Sequence, residues 1–154
     1  MQQEKIKTAI CWVLVFICMG VIFWLSSRTA VESAQQSGSI LQYLIEIFGD
    51  NIFTDFIVRK LAHFLEFTGL CLLMNIALYQ TRKRKSFISA TLLTSLYAVT
   101  DEVHQLFVEG RACRITDWAI DTCGAILGTI AFAVIMLLIS KMLKSKNTID
   151  RKFN

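Results

Sequence analysis

The sequence predicts an all-α fold, a polytopic membrane protein of four transmembrane helices with an outer interfacial helix between helices one and two. Three observations lead there. The 154-residue chain is 55% hydrophobic and 18% charged, whereas soluble domains run at about 45–50% apolar and about 25% charged. The apolar residues are gathered into blocks instead of spread along the chain. The basic residues lie between those blocks on alternate sides. The length suits one domain spanning 1–154.

The first block runs from Thr8 to Leu25, "TAICWVLVFICMGVIFWL", without a charge. About 20 apolar residues cross a bilayer core as helix, so a helix is expected over about 7–26. Lys5 and Lys7 precede it, which also fits a cleaved signal. The stretch exceeds a typical signal core, however, and "SSRTAVESA" offers no small-x-small cleavage site, which favours a retained anchor.

The connection from Ser26 to Thr54 contains "SILQYLIEIFGD", with apolar residues at 40, 41, 44, 45, 47 and 48. That spacing makes an amphipathic helix, either lying on the outer interface or packed over the bundle as a lid. "DFIVRKLAHFLE" and the apolar run from Phe67 to Tyr79 give a second spanning helix over about 55–79. The run from Phe87 to Val99 reaches spanning length only with its polar end, giving 86–107. Trp118 to Ser140 supplies the fourth, 116–140. The chain has no proline, so no kink is expected.

Short loops rich in Lys and Arg stay cytoplasmic. Lys5 and Lys7, then Arg82 to Lys85, then Lys141, Lys144, Lys146, Arg151 and Lys152 hold 11 of the 16 basic residues. Four crossings place all three segments, and both termini, on the cytoplasmic side. The net charge of +4 is thus matched to an anionic inner leaflet, and no nucleic-acid-binding module is visible. The five cysteines form neither a CxxC pair nor a metal spacing. Four sit in apolar blocks, where thiols pack as small hydrophobes; Cys113 alone falls in a loop.

This orientation brings ionisable groups from three segments to one depth. The second helix enters from outside with Arg59, Lys60, His63 and Glu66. The third ends there with Asp101, Glu102, His104 and Gln105, and the fourth begins there with Asp117 and Asp121. Arg59, His63 and Glu66 share a face at i, i+4, i+7, as do Asp101, His104 and Gln105 at i, i+3, i+4, with Glu102 to one side. Asp117 and Asp121 continue into Gly124 and Gly128, a small-xxx-small surface that lets another helix approach closely. A charge inside the bilayer costs at least about 2.5–3.5 kcal/mol unless paired or hydrated. The cluster is therefore either a wet pocket or an ion-pair network that clamps the helix ends.

Three stretches, "RKLAHFLEF" (59–67), "TDEVHQLFVEGR" (100–111) and "DWAIDTCGAILG" (117–128), with "FWLSS" at 23–27, resemble the VanZ-like membrane protein family. That family is named for a protein giving low-level resistance to the glycopeptide antibiotic teicoplanin. Many members carry Asn where this chain has Asp121, and a proline where it has Glu109. The resemblance implies a multi-pass protein of the bacterial cytoplasmic membrane, acting at its outer face where lipid-linked cell-wall precursors are handled. A resistance phenotype is not carried over with it.

Several functions compete for these residues. As a hydrolase or transferase, the chain would use His63, Glu66, Asp101, Glu102 and His104 for acid–base work. His63, Glu66, Asp101 and His104 could instead ligate a divalent metal that activates water against a lipid-linked phosphate or ester. Arg59 and Arg111 suit bidentate pairing with a phosphate or carboxylate, and Lys60, Gln105, Asp117 and Asp121 would complete a binding site. As a binding or shielding module, the same groups would hold a lipid-linked precursor or a glycopeptide without chemistry. As a structural protein, they would only hold the helices among membrane lipids, with Gly124 and Gly128 forming a homo-oligomer interface. A transporter is disfavoured, because four helices barely enclose a path.

Overall fold

Apolar runs of this length, free of proline, form helices wherever they occur. In the computed structural model, which describes residues 1–49 and 53–153, there are five: α1 (Gln2–Ser26), α2 (Ala30–Phe48), α3 (Asp55–Arg82), α4 (Phe87–Gln105) and α5 (Ile115–Phe153). The described residues contain no strand. Three helices, α1, α3 and the 115–145 part of α5, are long and apolar enough to cross a membrane. The α4 helix is long enough at 19 residues but is not among them, because Asp101, Glu102 and His104 in its last turns lower its apolar character.

The interhelical bonds fix the direction of each helix. At one end, the Trp12 indole N–H donates to Thr81 Oγ1 (2.9 Å) and Lys83 Nζ to Glu4 (2.7 Å). This joins the start of α1 to the end of α3. At the other end, Ser26 donates to Asp101 (2.8 Å), bringing the end of α1 to the end of α4. There too, Lys60 pairs with Asp117, which joins the starts of α3 and α5. The α3 helix is central and packs on all four others. The apolar core runs along it through Phe67, Leu70, Cys71, Ala77 and Leu78, met by Val15 and Ile22 of α1, Ala90 and Ala98 of α4 and Ala125 of α5.

The closest approach is between α3 and α5. A Cβ on Gly124 would meet the Phe64 carbonyl oxygen, and one on Gly128 the Thr68 carbonyl oxygen, nearer than real side chains come. The small-residue surface therefore faces α3 of the same chain. A homo-oligomer would have to use another face.

Polar residues bridge the helices beside this seam, because hydroxyls and amides away from water need partners within the bundle. Thr129 lies 2.8 Å from Thr91 and accepts from Asn75 Nδ2 (3.0 Å), and Ser95 lies 2.9 Å from Thr122 and accepts from the Trp118 indole. The outward surface is apolar. On α4 alone, Ile88, Leu92, Leu96, Val99 and Val103 form an exposed stripe at helical spacing.

The amphipathic segment begins earlier than its apolar pattern does. Thr29 and Glu32 form a capping box at the start of α2, each satisfying a donor that the first turn leaves orphaned. The Thr29 backbone N–H, with its hydroxyl, holds the Glu32 carboxyl below the usual carboxylate range. Leu41, Leu44 and Ile45 are half-buried while Ile40, Tyr43 and Ile47 are exposed, so the helix packs on the bundle and still shows apolar surface outward. Ser37 bonds to Asp55 and fixes α2 to the start of α3. Asp50, the end of that sequence pattern, lies outside the described residues.

Candidate functional site

The site is assembled at the end where α1 and α4 finish and α3 and α5 begin. A nine-residue connection, 106–114, crosses it. Val108 accepts from the Arg111 backbone N–H (3.1 Å), and Gly110 between them has φ +74°, a left-handed conformation that glycine adopts without a steric cost. A side chain there would also meet Ala30 Cβ at 2.9 Å. The connection is tied to the α1–α2 corner twice. Ala30 N donates to the Glu109 carbonyl (3.1 Å), and Arg111 Nε donates to the Arg28 carbonyl (3.2 Å). The Arg111 guanidinium is thereby aimed back over the helix ends.

Beneath it lies a cavity of about 150 Å³. Its cationic walls are Arg59 and Lys60 of α3 with Arg111 and Arg114 of the connection, and its anionic walls are Glu102, Asp117 and Asp121. His63 and Gln105 complete its polar side-chain lining. Glu102 and Asp121 are 4% and 2% exposed, so their carboxyls cannot rely on bulk water. Glu102 accepts from the Arg114 backbone N–H at 2.8 Å. Lys60 pairs with Asp117 across α3 and α5, and Arg59 pairs with Asp55 one turn earlier at 3.0 Å. Burial, then the neighbouring Arg59 charge, pushes the Arg111 pKa below its usual value. Two guanidiniums crowded this way gain from a bound anion.

A second cavity, about 290 Å³, lies between α2 and α3 and shares Arg59, His63 and Arg111 with the first. Glu66 lines this one instead. Its Oε2 stands 3.6 Å from His63 Nδ1, too far for a hydrogen bond, and both atoms are buried without a partner.

The residues expected to act together are thus divided. Arg59, Lys60, His63, Glu102, Gln105, Arg111, Asp117 and Asp121 line one cavity. Asp101 sits behind it, 2% exposed, accepting from Ser26 (2.8 Å) and Gln105 (3.1 Å). It serves as a buried tie between α1 and α4, with Oδ1 unpartnered. His104 is turned away: its ring stacks on Phe23 at 4.2 Å and its Nε2 lies 3.0 Å from Ser27 Oγ. The four-residue metal set of His63, Glu66, Asp101 and His104 is not assembled, and among the described residues no three His, Cys, Asp or Glu side chains group to hold a metal ion. Sequence reading missed Arg114 as a lining residue and Ser26 as the partner of Asp101. A polar residue ending an uncharged apolar block was the available signal for Ser26.

Comparison with known proteins gives one match. The family model described as VanZ/LLP1 matches residues 11–138, which takes in all the helices that build the cavity. No curated protein and no solved structure matches the chain.

Proposed function

The chain belongs to the VanZ/LLP1 family, and on that premise we propose that its charged cavity receives the anionic head group of a lipid-linked envelope component at the outer face of the bacterial cytoplasmic membrane. It is a VanZ-like membrane protein, of a family linked to glycopeptide resistance. The observation that carries the reading is the gathering of Arg59, Lys60, Arg111 and Arg114 around one cavity at one end of an apolar bundle.

Three observations support an outward-facing cavity. The α4 helix, 19 residues long, extends about 28 Å at 1.5 Å per residue, close to the hydrocarbon thickness of about 30 Å. Its exposed apolar stripe suits lipid contact, so α4 is read as the fourth span. The basic segments at Lys5 and Lys7, at Arg82 to Lys85 and from Lys141 onward lie toward the other end of the bundle. By the positive-inside rule that end, with both termini, is cytoplasmic and the cavity is outside. Trp24 and Trp118 near the cavity end suit an interfacial anchor belt.

Recognition would use the guanidiniums as planar donors to phosphate oxygens, with Lys60 as a compact charge. The acidic wall gives the site a second capacity. His63, Glu102 and Asp121 stand where a general acid or base would act on a bound phosphate ester, which makes a hydrolase or transferase the alternative to simple binding.

Titration of a dodecyl phosphate into the protein in zwitterionic nanodiscs tests the reading. The wild-type protein is expected to bind it. Arg111→Gln and Arg59→Gln should each weaken binding by about 10- to 100-fold, as expected for one charge-assisted hydrogen-bonding group. Absence of binding by the wild type, or binding by both variants as tight as that of the wild type, overturns the proposal. Phosphate release from an ester probe that is lost in Asp121→Asn, with binding retained, would assign the enzyme; binding without release assigns the recognition module.

A further inference from the structure

The second cavity gives the ligand its shape. Its walls are Leu25 at the end of α1, Ser33, Gln36 and Ile40 of α2, and Val58 and Ala62 of α3. Its polar side is formed by Glu66 with Arg59, His63 and Arg111, and the last three also line the head-group cavity. The two spaces are therefore neighbours, with the same guanidiniums on their common wall. Ile40 lines the rim and is 51% exposed, so the rim opens toward whatever surrounds the bundle on the α2 side. Around it α2 shows Tyr43 and Ile47, and α3 shows Phe56 and Ile57, all exposed apolar groups. An anion site with an apolar annex beside an apolar outer surface is matched to an amphiphile.

From this adjacency we infer that the cavity between α2 and α3 holds the first part of the ligand's apolar chain, so that the protein takes a long-chain phosphate laterally from the bilayer and not a free water-soluble anion. The inference rests on the head-group reading above and adds the class of ligand and its route. The physical reason is that a lipid phosphate cannot reach a buried anion site from water without drawing its chain out of hydrocarbon, and every methylene exposed to water carries a cost. Passing the chain between α2 and α3 avoids that exposure. Lipid tails are as apolar as leucine, so the groove adds little attraction of its own. It decides which anions can be seated with their chains attached. The bond from Ser37 to Asp55 closes one side of the passage by holding α2 to the N-terminus of α3.

Filling the groove tests the inference without touching a charged residue. Dodecyl phosphate and ethyl phosphate are titrated into the wild-type protein and into Ala62→Trp in zwitterionic nanodiscs, with thermal melting in detergent as the folding control. Ala62→Trp is expected to weaken dodecyl phosphate by about tenfold and to leave ethyl phosphate unchanged. If Ala62→Trp does not fold, Ile40→Trp fills the same groove from the α2 side and carries the same expectation. Dodecyl phosphate bound equally well by the folded variant and the wild type, or both probes weakened alike, overturns the chain subsite while leaving the head-group reading in place. If neither probe binds the wild type, the head-group reading itself has failed, and the chain subsite falls with it.

Discussion

Replacing Gly128 with leucine is expected to prevent recovery of a folded protein, the largest stability effect of any single change in the bundle. The glycine faces the Thr68 backbone, with Cys71 Cβ 3.0 Å and the Leu72 amide 3.1 Å from where a Cβ would stand. Overpacking a core that can adjust costs about 1–3 kcal/mol. Here the first obstacle is main chain, so the helices must separate, and separation also breaks the Thr129 bonds to Asn75 and Thr91. Gly128→Ala adds only the Cβ, but that atom already meets the Thr68 carbonyl, so the cost should reach at least the upper end of that range, about 3 kcal/mol, and Gly124→Ala, against the Phe64 carbonyl, should behave alike. Gly69, with nothing within 4 Å of its Cβ position, is the control: Gly69→Ala should be neutral or slightly stabilising, by up to about 1 kcal/mol. Thermal melting in detergent reads all four, and a Gly128→Leu protein that melts at the wild-type temperature would show that α3 and α5 are not packed this closely.

The second large effect concerns Lys60 and Asp117, and it separates a working pocket from a structural clamp. Lys60→Leu leaves Asp117 beside Glu102 and Asp121 with its paired cation gone. Breaking a fully buried pair from one side costs about 3–5 kcal/mol, whereas replacing both members with apolar groups is often neutral; this pair is only partly buried, so the loss should lie below that range. The double variant Lys60→Leu, Asp117→Leu should therefore regain most of the stability lost by Lys60→Leu. Binding of dodecyl phosphate decides the rest. In the head-group reading, binding stays weakened in the stable double variant, because Lys60 is one of the four cationic walls. If the pair were only a clamp between α3 and α5, stability and binding would return together, and the binding site would have to be sought without Lys60.

These two tests use the parts of the molecule that were most and least legible. The apolar blocks read directly as α1, α3 and α5, because a long uncharged run has few other stable conformations. The amphipathic pattern near 40–48 read as helix, but the start at Ala30 was hidden, since it depends on the Thr29–Glu32 capping box instead of on apolar spacing. Helical spacing put Arg59, His63 and Glu66 on one face; Arg59 and His63 line the charged cavity with Lys60, Asp117 and Asp121, while Glu66, one turn on, lines the second cavity instead. Asp101 and His104 did not share a face as their spacing suggested. Residues three apart on a helix differ by about 60° in direction, enough for the end of α1 to come between them. Ser26 takes Asp101 on one side, and Phe23 with Ser27 takes His104 on the other.

What the sequence by itself determined is the helical class, the apolar surface and the concentration of charge at the helix ends near one face of the bundle. Those follow from composition and periodicity, which are local properties of the chain. Only the tertiary structure decided that Gly124 and Gly128 face α3, that His63 and His104 stand apart, and that a second cavity beneath α2 shares Arg59, His63 and Arg111 with the charged one. Each depends on how far one helix is rotated and shifted against another, and that is set by backbone contacts and shared hydrogen bonds between segments up to 83 positions apart, as with Arg111 Nε donating to the Arg28 carbonyl. No spacing within a single segment records it.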